Sequence, residues 1–394
     1  MTMPLPQGFA LAVASAGFKT PGRKDLAAAV SDRPATAAAV FTKALFKAAP
    51  VQAGAAIIAG RGEARAVLIN TGQANACTGD EGLANCRATQ ELLAQTLGLD
   101  PLDILPASTG VIGAQLKMDA FRAAMPELKA HLGKASLEDY ARAIMTTDAF
   151  PKFYVERLGI GGKDVLLAGA AKGAGMICPN MATMLCTLLC DAEIERGAWQ
   201  AMLGRAVDRT FNRATVDGDT STNDTVYALA NGASGVRVRG EDLALLEEAV
   251  SRVLADLAYK LVQDGEGATK VMHIRVTGAR DAADAERAAR TVGHSQLVKT
   301  AMYGKDANWG RIVAALGRSG AAFDPALVRV SLCGVELFRN EQPTDLDFDA
   351  LLKEPLEQRD IHIDIALGGG TGEYELLASD LTHEYVNINA DYRS

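Results

Sequence analysis

The chain has 394 residues, of which 48% are hydrophobic and 22% charged, and its net charge is −8. This composition is typical of a soluble globular protein and excludes a disordered or fibrous chain. The negative charge, with a pI of about 5.3, disfavours binding to nucleic acids and to anionic membrane surfaces, because both would be repelled.

The sequence predicts neither an export signal nor a membrane span. The first 30 residues mix prolines and polar residues where a secretory signal needs an uninterrupted apolar segment. The most apolar stretch, Met181 to Cys190, is shorter than the roughly 18 to 20 residues that cross a bilayer. We therefore expect a cytoplasmic protein. Its six cysteines are expected to be reduced thiols, because they form none of the CxxC pairs typical of zinc sites.

In the first two thirds of the chain, the sequence pattern predicts a mixture of strands and helices. A short β-rich run at Ala66 to Ile69 is followed by helical patterns at Gly82 to Leu97 and Met118 to Leu132. The segment Tyr154 to Leu167 is typical of two strands joined by a glycine-rich turn. From Glu241 to Val262, apolar residues recur at steps of three and four, which predicts an amphipathic helix.

The C-terminal third shows a second, similar alternation. After Lys270 the pattern predicts a strand at Val271 to Val276 and a helix at Asp281 to Arg290. Three β-rich segments follow, at Val328 to Phe338, Ile361 to Leu367 and Tyr385 to Ile388. This order predicts an α/β (α+β) protein with a smaller C-terminal α+β domain.

Several common functional motifs are absent or incomplete in the sequence. The glycine clusters after Leu158 and Leu367 do not fit a dinucleotide- or phosphate-binding loop. The segment Asp217 to Asp224 begins like a calcium loop but lacks the glycine at position six and the glutamate at position twelve. It is better explained as a polar loop whose side chains cap its own backbone, so no metal site is predicted. None of the five histidines lies in a recognisable catalytic motif.

The stretch from Lys172 to Cys186 has the elements of a self-cleaving nucleophile. A lysine, two glycines and a proline precede Ala182 and Thr183, which stand before an apolar run. A threonine after a small residue can attack its own preceding carbonyl, and the α-amine freed by the cut, with a pKa of about 8, can then act as its base. The residues alone also fit an ordinary strand start, so both interpretations remain open here.

The same stretch resembles the self-cleavage motif KGxGMxxPxxATML of the ornithine acetyltransferases, also called glutamate N-acetyltransferases, and fills every named position. The resemblance extends along nearly the whole chain. Further matching segments are Asn70–Gly79, Ser108–Gly113, Thr146–Asp148, Phe211–Arg213, Thr215–Asp224, Asp264–Lys270 and Tyr385–Tyr392.

This resemblance implies a layered α/β/β/α-type fold, shared with self-processing aminopeptidases, and a precursor that cuts itself between Ala182 and Thr183. Residues 1–182 would form the α chain, part of the catalytic core. Residues 183–280 would begin the β chain and complete that core, and residues 281–394 would form the smaller C-terminal domain, whose tail returns to the active site. The two chains would stay associated, as an α2β2 heterotetramer.

The resemblance also implies the reaction. Thr183 would accept the acetyl group of N2-acetyl-L-ornithine and pass it to L-glutamate in arginine biosynthesis, without a metal or cofactor. Whether acetyl-coenzyme A also serves as an acetyl donor is left open, as is feedback inhibition by arginine. Two alternatives stand beside this function. One is an aminopeptidase or amidase of the same self-processing architecture, and the other is a non-enzyme that never cleaves itself.

The family's functional residues carry over one by one. Thr109 and Gly110 correspond to the residues that stabilise the negatively charged oxygen of the intermediate. The implied substrate-binding residues are Thr146, Lys172, Thr183, Glu266, Asn389 and Ser394. By charge, Lys172 suits a carboxylate and Glu266 the ammonium group of ornithine. Thr147 is the alternative to Thr146, and Asp217, Asp219 and Asn223 receive no role.

Overall fold

The computed structural model describes residues 3–18, 20–178 and 184–391. Within these ranges the chain divides into two compact units. The first unit contains the described residues up to Asn212 together with Asp219–Leu261, and the second contains Arg213–Gly218 and the described residues from Val262 onward.

The secondary-structure elements are numbered along the chain. The strands are β1 (Phe9–Ala14), β2 (Leu26–Phe41), β3 (Glu63–Gln73), β4 (Ile104–Val111), β5 (Lys152–Ile160), β6 (Lys163–Lys172), β7 (Leu185–Cys190), β8 (Ala214–Thr215), β9 (Thr225–Ala230), β10 (Val271–Ala279), β11 (Arg329–Leu332), β12 (Val335–Arg339), β13 (Gln342–Pro343), β14 (Asp360–Ala366) and β15 (Gly372–Ser379). The α-helices are α1 (Ala49–Gly60), α2 (Gly79–Leu97), α3 (Met118–Ala130), α4 (Leu137–Ala143), α5 (Arg196–Arg209), α6 (Asp242–Gln263), α7 (Ala282–Gly293), α8 (Gln296–Tyr303), α9 (Trp309–Gly317), α10 (Phe348–Leu352) and α11 (His383–Asp391).

The first unit is built on a mixed sheet with the strand order β4-β3-β2-β9-β7-β6-β5, and β1 pairs with β2. Strand β3 runs parallel to β4, and β7 runs parallel to β9. The central strands β7 and β9 are buried along their whole length and are almost entirely apolar. They therefore form a rigid base at whose ends polar residues can be held in place.

Helix α6 packs on this sheet through the apolar stripe that the sequence predicts. Buried positions of the stripe include Leu246, Val250, Val253, Leu254, Leu257 and Leu261. The helix approaches β6 closely at Gly169, where an added Cβ would lie 2.7 Å from Val253 Cγ1. Only glycine permits this approach, which explains a glycine in the middle of a buried strand.

The second unit contains the other mixed sheet, in the order β13-β12-β11-β14-β10-β15-β8. Helix α7 packs on this sheet, and the two share a separate apolar core with side chains of Ala285, Val292, Ile274 and Leu376. The predicted α/β (α+β) class is thus confirmed. Among the helices of the described ranges, none has both the length and the apolar character that crossing a bilayer requires.

The prediction of a β-rich segment at Tyr385 to Ile388 is wrong, because these residues form helix α11. The side chain of Thr382 accepts a hydrogen bond from the Tyr385 N–H at 3.4 Å, as a residue at a helix start does. At the other end, Asn389 Nδ2 donates to the Tyr385 carbonyl at 3.0 Å. These contacts outweigh the strand preference of the local residues.

Candidate active site

The predicted oxyanion residues Thr109 and Gly110 lie at the end of β4, where its pairing with β3 becomes irregular. Gly110 has a φ of +131°, and an added Cβ would lie 2.3 Å from the backbone carbon of Gly72. A side chain is therefore excluded here by both the backbone conformation and the available space. The two strand ends approach each other closely at the position where the sequence predicts the oxyanion donors.

Lys172, the last residue of β6, lies beside Thr109. Its ammonium nitrogen is 3.4 Å from Thr109 Oγ1, and the residue is only 4% exposed. Across the β6–β7 ladder Lys172 pairs with Leu185, the first residue of β7. Lys172 thus contacts a predicted oxyanion residue and also faces the start of the strand that follows the predicted cleavage site.

A buried carboxylate, Asp148, bonds to the Thr146 backbone and interacts electrostatically with Lys172. Asp148 Oδ1 accepts hydrogen bonds from Lys152 Nζ at 2.6 Å and from the Gly173 N–H at 2.6 Å. Asp148 Oδ2 accepts one from the Thr146 N–H at 2.9 Å. The side chains of Asp148 and Lys152 are both fully buried. Such a pair is stable only because each charge has its partners in place.

The electrostatics of this group favour an ionised Asp148. Burial alone raises the pKa of its carboxyl, but the ammonium groups of Lys152 and Lys172 outweigh burial and hold the pKa well below its usual range. The charges of two lysines therefore act on one carboxylate. A buried ammonium group such as that of Lys172 is suited to binding an anionic part of a ligand.

Thr183 and Ala182, the predicted nucleophile and cleavage site, lie outside the described residues, as does Ser394. The next residue along the chain, Met184, is described and is well held. Its N–H donates to Asp224 Oδ1 at 2.8 Å, and its carbonyl accepts from the Thr225 N–H at 3.0 Å. Strand β7 begins directly after it.

Glu266 and Asn389 lie together in the second unit. Asn389 Nδ2, on helix α11, donates to Glu266 Oε2 at 2.7 Å. Glu266 is buried, at 8% exposure. The structure therefore brings the predicted residues together as two groups, one formed by Thr109, Gly110, Thr146 and Lys172, and the other by Glu266 and Asn389.

Three further residues of the first group received no role from the sequence. Asp148 stands in the Thr146–Asp148 segment, and Asn223 and Asp224 end the polar loop before β9. Asn223 and Asp224 do more than cap their own loop, since their side chains bond to backbone groups of Ala74, Ser108 and Met184. The sequence signal for these residues was their place in the family-like segments Thr146–Asp148 and Thr215–Asp224, which gave no chemical role for them.

Comparisons with known proteins agree with the motifs. The chain matches the ArgJ family over residues 10–394. The arginine biosynthesis bifunctional protein ArgJ of Nitratidesulfovibrio vulgaris is 67% identical over 389 residues, which is 99% of each chain. The protein of the same name from Geobacter sulfurreducens is 45% identical over 395 residues, covering 98% of this chain and 99% of its own.

Among solved structures, the crystal structure of arginine biosynthesis bifunctional protein argJ from Bacillus halodurans is 36% identical. It covers 52% of this chain and 97% of its own chain, with a TM-score of 0.49. By its family match and its full-length relatives, the chain belongs to the ArgJ family, which confirms the ornithine acetyltransferase of arginine biosynthesis predicted from its sequence.

Proposed function

We propose that this chain cuts itself between Ala182 and Thr183 and then carries the acetyl group on the Thr183 hydroxyl. The hydroxyl attacks the acetyl carbonyl of N2-acetyl-L-ornithine, the amide C–N bond breaks, and ornithine leaves with the hydroxyl proton. The α-amine of L-glutamate then attacks the ester, N-acetylglutamate leaves, and a proton returns to the threonine oxygen. The α-amine freed by the cut acts as the base in both steps.

The observation that carries this proposal is the position of Lys172. It lies 3.4 Å from Thr109 Oγ1 and pairs with Leu185, so the start of β7 lies beside the predicted oxyanion residues. A nucleophile attached to the start of this strand needs donors nearby for the negative charge that develops on the acetyl oxygen. Losing one such donor typically costs about 2.7 to 4 kcal/mol in the reaction barrier.

The charges of the two groups support the choice of substrates. The Lys172 ammonium suits the α-carboxylate that donor and acceptor share, and the half-buried Thr146, whose N–H bonds to Asp148, offers a hydroxyl. In the second unit, Glu266, whose side chain accepts a hydrogen bond from Asn389, is proposed as a further substrate-binding residue whose charge suits an ammonium group. Ser394 is proposed as a further hydroxyl ligand.

The proposal also covers the assembly of the two chains, their location and a second acetyl donor. The α and β chains assemble as an α2β2 heterotetramer in the cytoplasm. Acetyl-coenzyme A is proposed as a second donor of the acetyl group, because the relatives that match this chain over its full length are called bifunctional proteins.

The first test is the intact mass of the freshly purified protein under denaturing conditions. Cleavage before Thr183 predicts two chains of about 19 and 22 kDa, in proportion to their lengths within the 41.4 kDa precursor. After brief exposure to N-acetylornithine, the larger chain should gain the mass of one acetyl group. An uncut chain that still transfers acetyl groups would overturn the proposed base.

The second test separates transfer from hydrolysis. The protein is incubated with N-acetylornithine, with and without glutamate, and ornithine release is followed over many turnovers. The transferase predicts continuous release only when glutamate is present, since the acetyl group otherwise stays on Thr183. Release at the same rate without glutamate would instead support an amidase.

A further inference from the structure

Two consecutive buried residues, Asn223 and Asp224, stand directly before strand β9. They are 7% and 1% exposed. The carboxamide nitrogen of Asn223 donates to the carbonyl oxygens of Ala74 at 2.6 Å and Ser108 at 2.8 Å. Both N–H groups of this amide are thus used on backbone oxygens more than 100 residues away in sequence.

The bond from Asn223 to Ser108 acts on the predicted oxyanion residues. The Ser108 carbonyl shares its planar peptide unit with the Thr109 N–H, so a bond to that carbonyl restricts the orientation of the peptide that enters Thr109. The Ser108 side chain is held as well, because its hydroxyl donates to Asn70 Oδ1 at 2.6 Å. Asn223 therefore holds the end of β4 where Thr109 and Gly110 lie.

Asp224 holds Met184, the residue that follows the proposed nucleophile. Its Oδ1 accepts from the Met184 N–H at 2.8 Å, and the next residue, Thr225, donates its N–H to the Met184 carbonyl at 3.0 Å. Burial raises the pKa of the Asp224 carboxyl well above its usual value, although the hydrogen bond from the Met184 N–H and the charge of Lys172 act in the opposite direction. A neutral carboxyl can hold this N–H as a positioning group.

We propose that Asn223 and Asp224 form a positioning clamp, which sets the residue following Thr183 against the strand end that carries Thr109 and Gly110. This inference rests on the proposed function, and it gives Asn223 and Asp224 a role in cleavage and acetyl transfer. A displacement of about 1 Å between a nucleophile and the groups that stabilise its intermediate can cost about 100-fold in rate. The clamp acts on that distance without touching the substrate.

The chain offers matched controls at the far ends of the same two strands. Asn231 follows β9, is also 7% exposed, and donates Nδ2 to the Gln7 carbonyl at 3.0 Å. Asp191 follows β7, is fully buried, and accepts the N–H groups of Gln7 at 3.0 Å and Leu166 at 2.9 Å. Each of these six-residue strands rises about 3.3 Å per residue, so the control residues lie about 20 Å or more from the clamp.

The test compares Asn223→Ala and Asp224→Ala with Asn231→Ala and Asp191→Ala in the full chain. Three quantities are measured: the rate of self-cleavage by intact mass, kcat and KM for N-acetylornithine and glutamate in the cleaved protein, and Tm. We expect the clamp variants to lose about tenfold or more in cleavage rate and in kcat, with KM within about twofold. The control variants should lose as much in Tm but keep both rates within about twofold.

A conservative variant adds a second readout. Asp224→Asn keeps an oxygen that can accept the Met184 N–H, so it should recover most of the rate lost in Asp224→Ala. If Asp224→Asn is as slow as Asp224→Ala, the carboxyl does more than accept that N–H, and the proposed positioning role of Asp224 is wrong.

Two other outcomes would overturn the clamp while leaving the proposed function intact. In the first, the wild-type protein cuts itself and transfers acetyl groups normally, and Asn223→Ala is as fast as Asn231→Ala in both reactions. The other is failure of both Asn223→Ala and Asn223→Ser to fold while Asn231→Ala folds, which would make Asn223 a residue of the fold in general. A wild-type protein that neither cuts nor transfers would count against the proposed function itself.

Discussion

The ammonium nitrogen of Lys172 lies 3.4 Å from Thr109 Oγ1, although 63 residues separate the two in sequence. The same lysine stabilises the ionised form of Asp148, which accepts the Thr146 N–H. One buried cation thus links the predicted oxyanion residue with a predicted substrate-binding residue. Substitutions of Lys172 and of the residues that interact with it should therefore lower catalytic activity by more than the loss of stability alone would.

Replacing the proposed nucleophile should abolish maturation. We expect Thr183→Ala to remain a single chain of 41.4 kDa that takes up no acetyl group, because no hydroxyl remains to attack either carbonyl. The control is Thr187→Ala in β7, which loses a buried hydrogen bond of 2.9 Å to Tyr140. It should melt earlier, at a cost of about 1 kcal/mol, but still cut itself. Normal cleavage in Thr183→Ala, seen by intact mass, would contradict the assignment.

Removing the charge of Lys172 should slow acetyl transfer. We expect Lys172→Met to lower kcat/KM at least about 30-fold, because the substrate carboxylate loses the buried cation proposed to bind it, and losing one partner of a buried charge pair typically costs about 2 to 5 kcal/mol. Lys270→Met is the control. Lys270 is also buried, but its ammonium group donates to the carbonyls of Leu356, Glu357 and Gln358 in the second unit. The measurement is steady-state kinetics. A kcat/KM that falls equally in both variants would count against a specific role for Lys172.

Asp148 should contribute stability that depends on pH. Because its pKa in the folded state lies below its ordinary value of 3.8, the unfolded chain binds more protons, and the contribution is present above that value and is lost as the pH falls below it. We expect Asp148→Asn to cost about 3 to 5 kcal/mol at pH 7, with a difference from wild type that shrinks between pH 5 and pH 2. Melting curves at each pH measure this difference.

The control for Asp148 is an exposed aspartate. Asp32 pairs with Arg33 at 2.7 Å but is 55% exposed, so Asp32→Asn should change Tm little at any pH. A difference between wild type and Asp148→Asn that stays constant from pH 7 to pH 2 would show that the ionised carboxylate is not what stabilises the fold.

The glycine at the end of β4 should be irreplaceable. Gly110→Ala places a Cβ 2.3 Å from the Gly72 backbone at a φ of +131°, so the strand end must move, and we expect kcat to fall about 100-fold or more. Gly113→Ala also has a positive φ, +83°, but its Cβ would meet no atom within 4 Å. It should lose about 1 to 3 kcal/mol of stability through backbone strain and keep its activity. Equal kcat values in the two variants would exclude a role for Gly110.

Features of the fold that depend on local patterns could be predicted from the sequence. The apolar spacing from Glu241 to Val262 corresponds to helix α6, because a periodic stripe is a local property of the chain. The segment at Tyr385 could not be predicted, since helix α11 depends on Thr382 and on the bond from Asn389 to Glu266, 123 residues away.

The same distinction between local and distant features applies to the predicted site. Motifs identify residues next to one another in sequence, such as Thr109 and Gly110, but they do not show which distant groups hold them. Asn223 bonds to carbonyls 149 and 115 residues away, and Asp224 to an N–H 40 residues away. Their roles follow only from the folded arrangement, in which the ends of β4, β7 and β9 meet polar side chains.

The order of strands in the first sheet determines what a cut before Thr183 would do to the molecule. Strands β4, β3 and β2 would belong to one fragment, β9 and β7 to the other, and β6 and β5 again to the first. The two polypeptides would alternate within one sheet and be joined by the β2–β9 and β6–β7 ladders. Neither could leave without dismantling the sheet, and after complete denaturation recovery would require two molecules to meet. The rate at which this sheet re-forms should then depend on concentration in the cut protein, whereas in the uncut Thr183→Ala chain it should be independent of concentration.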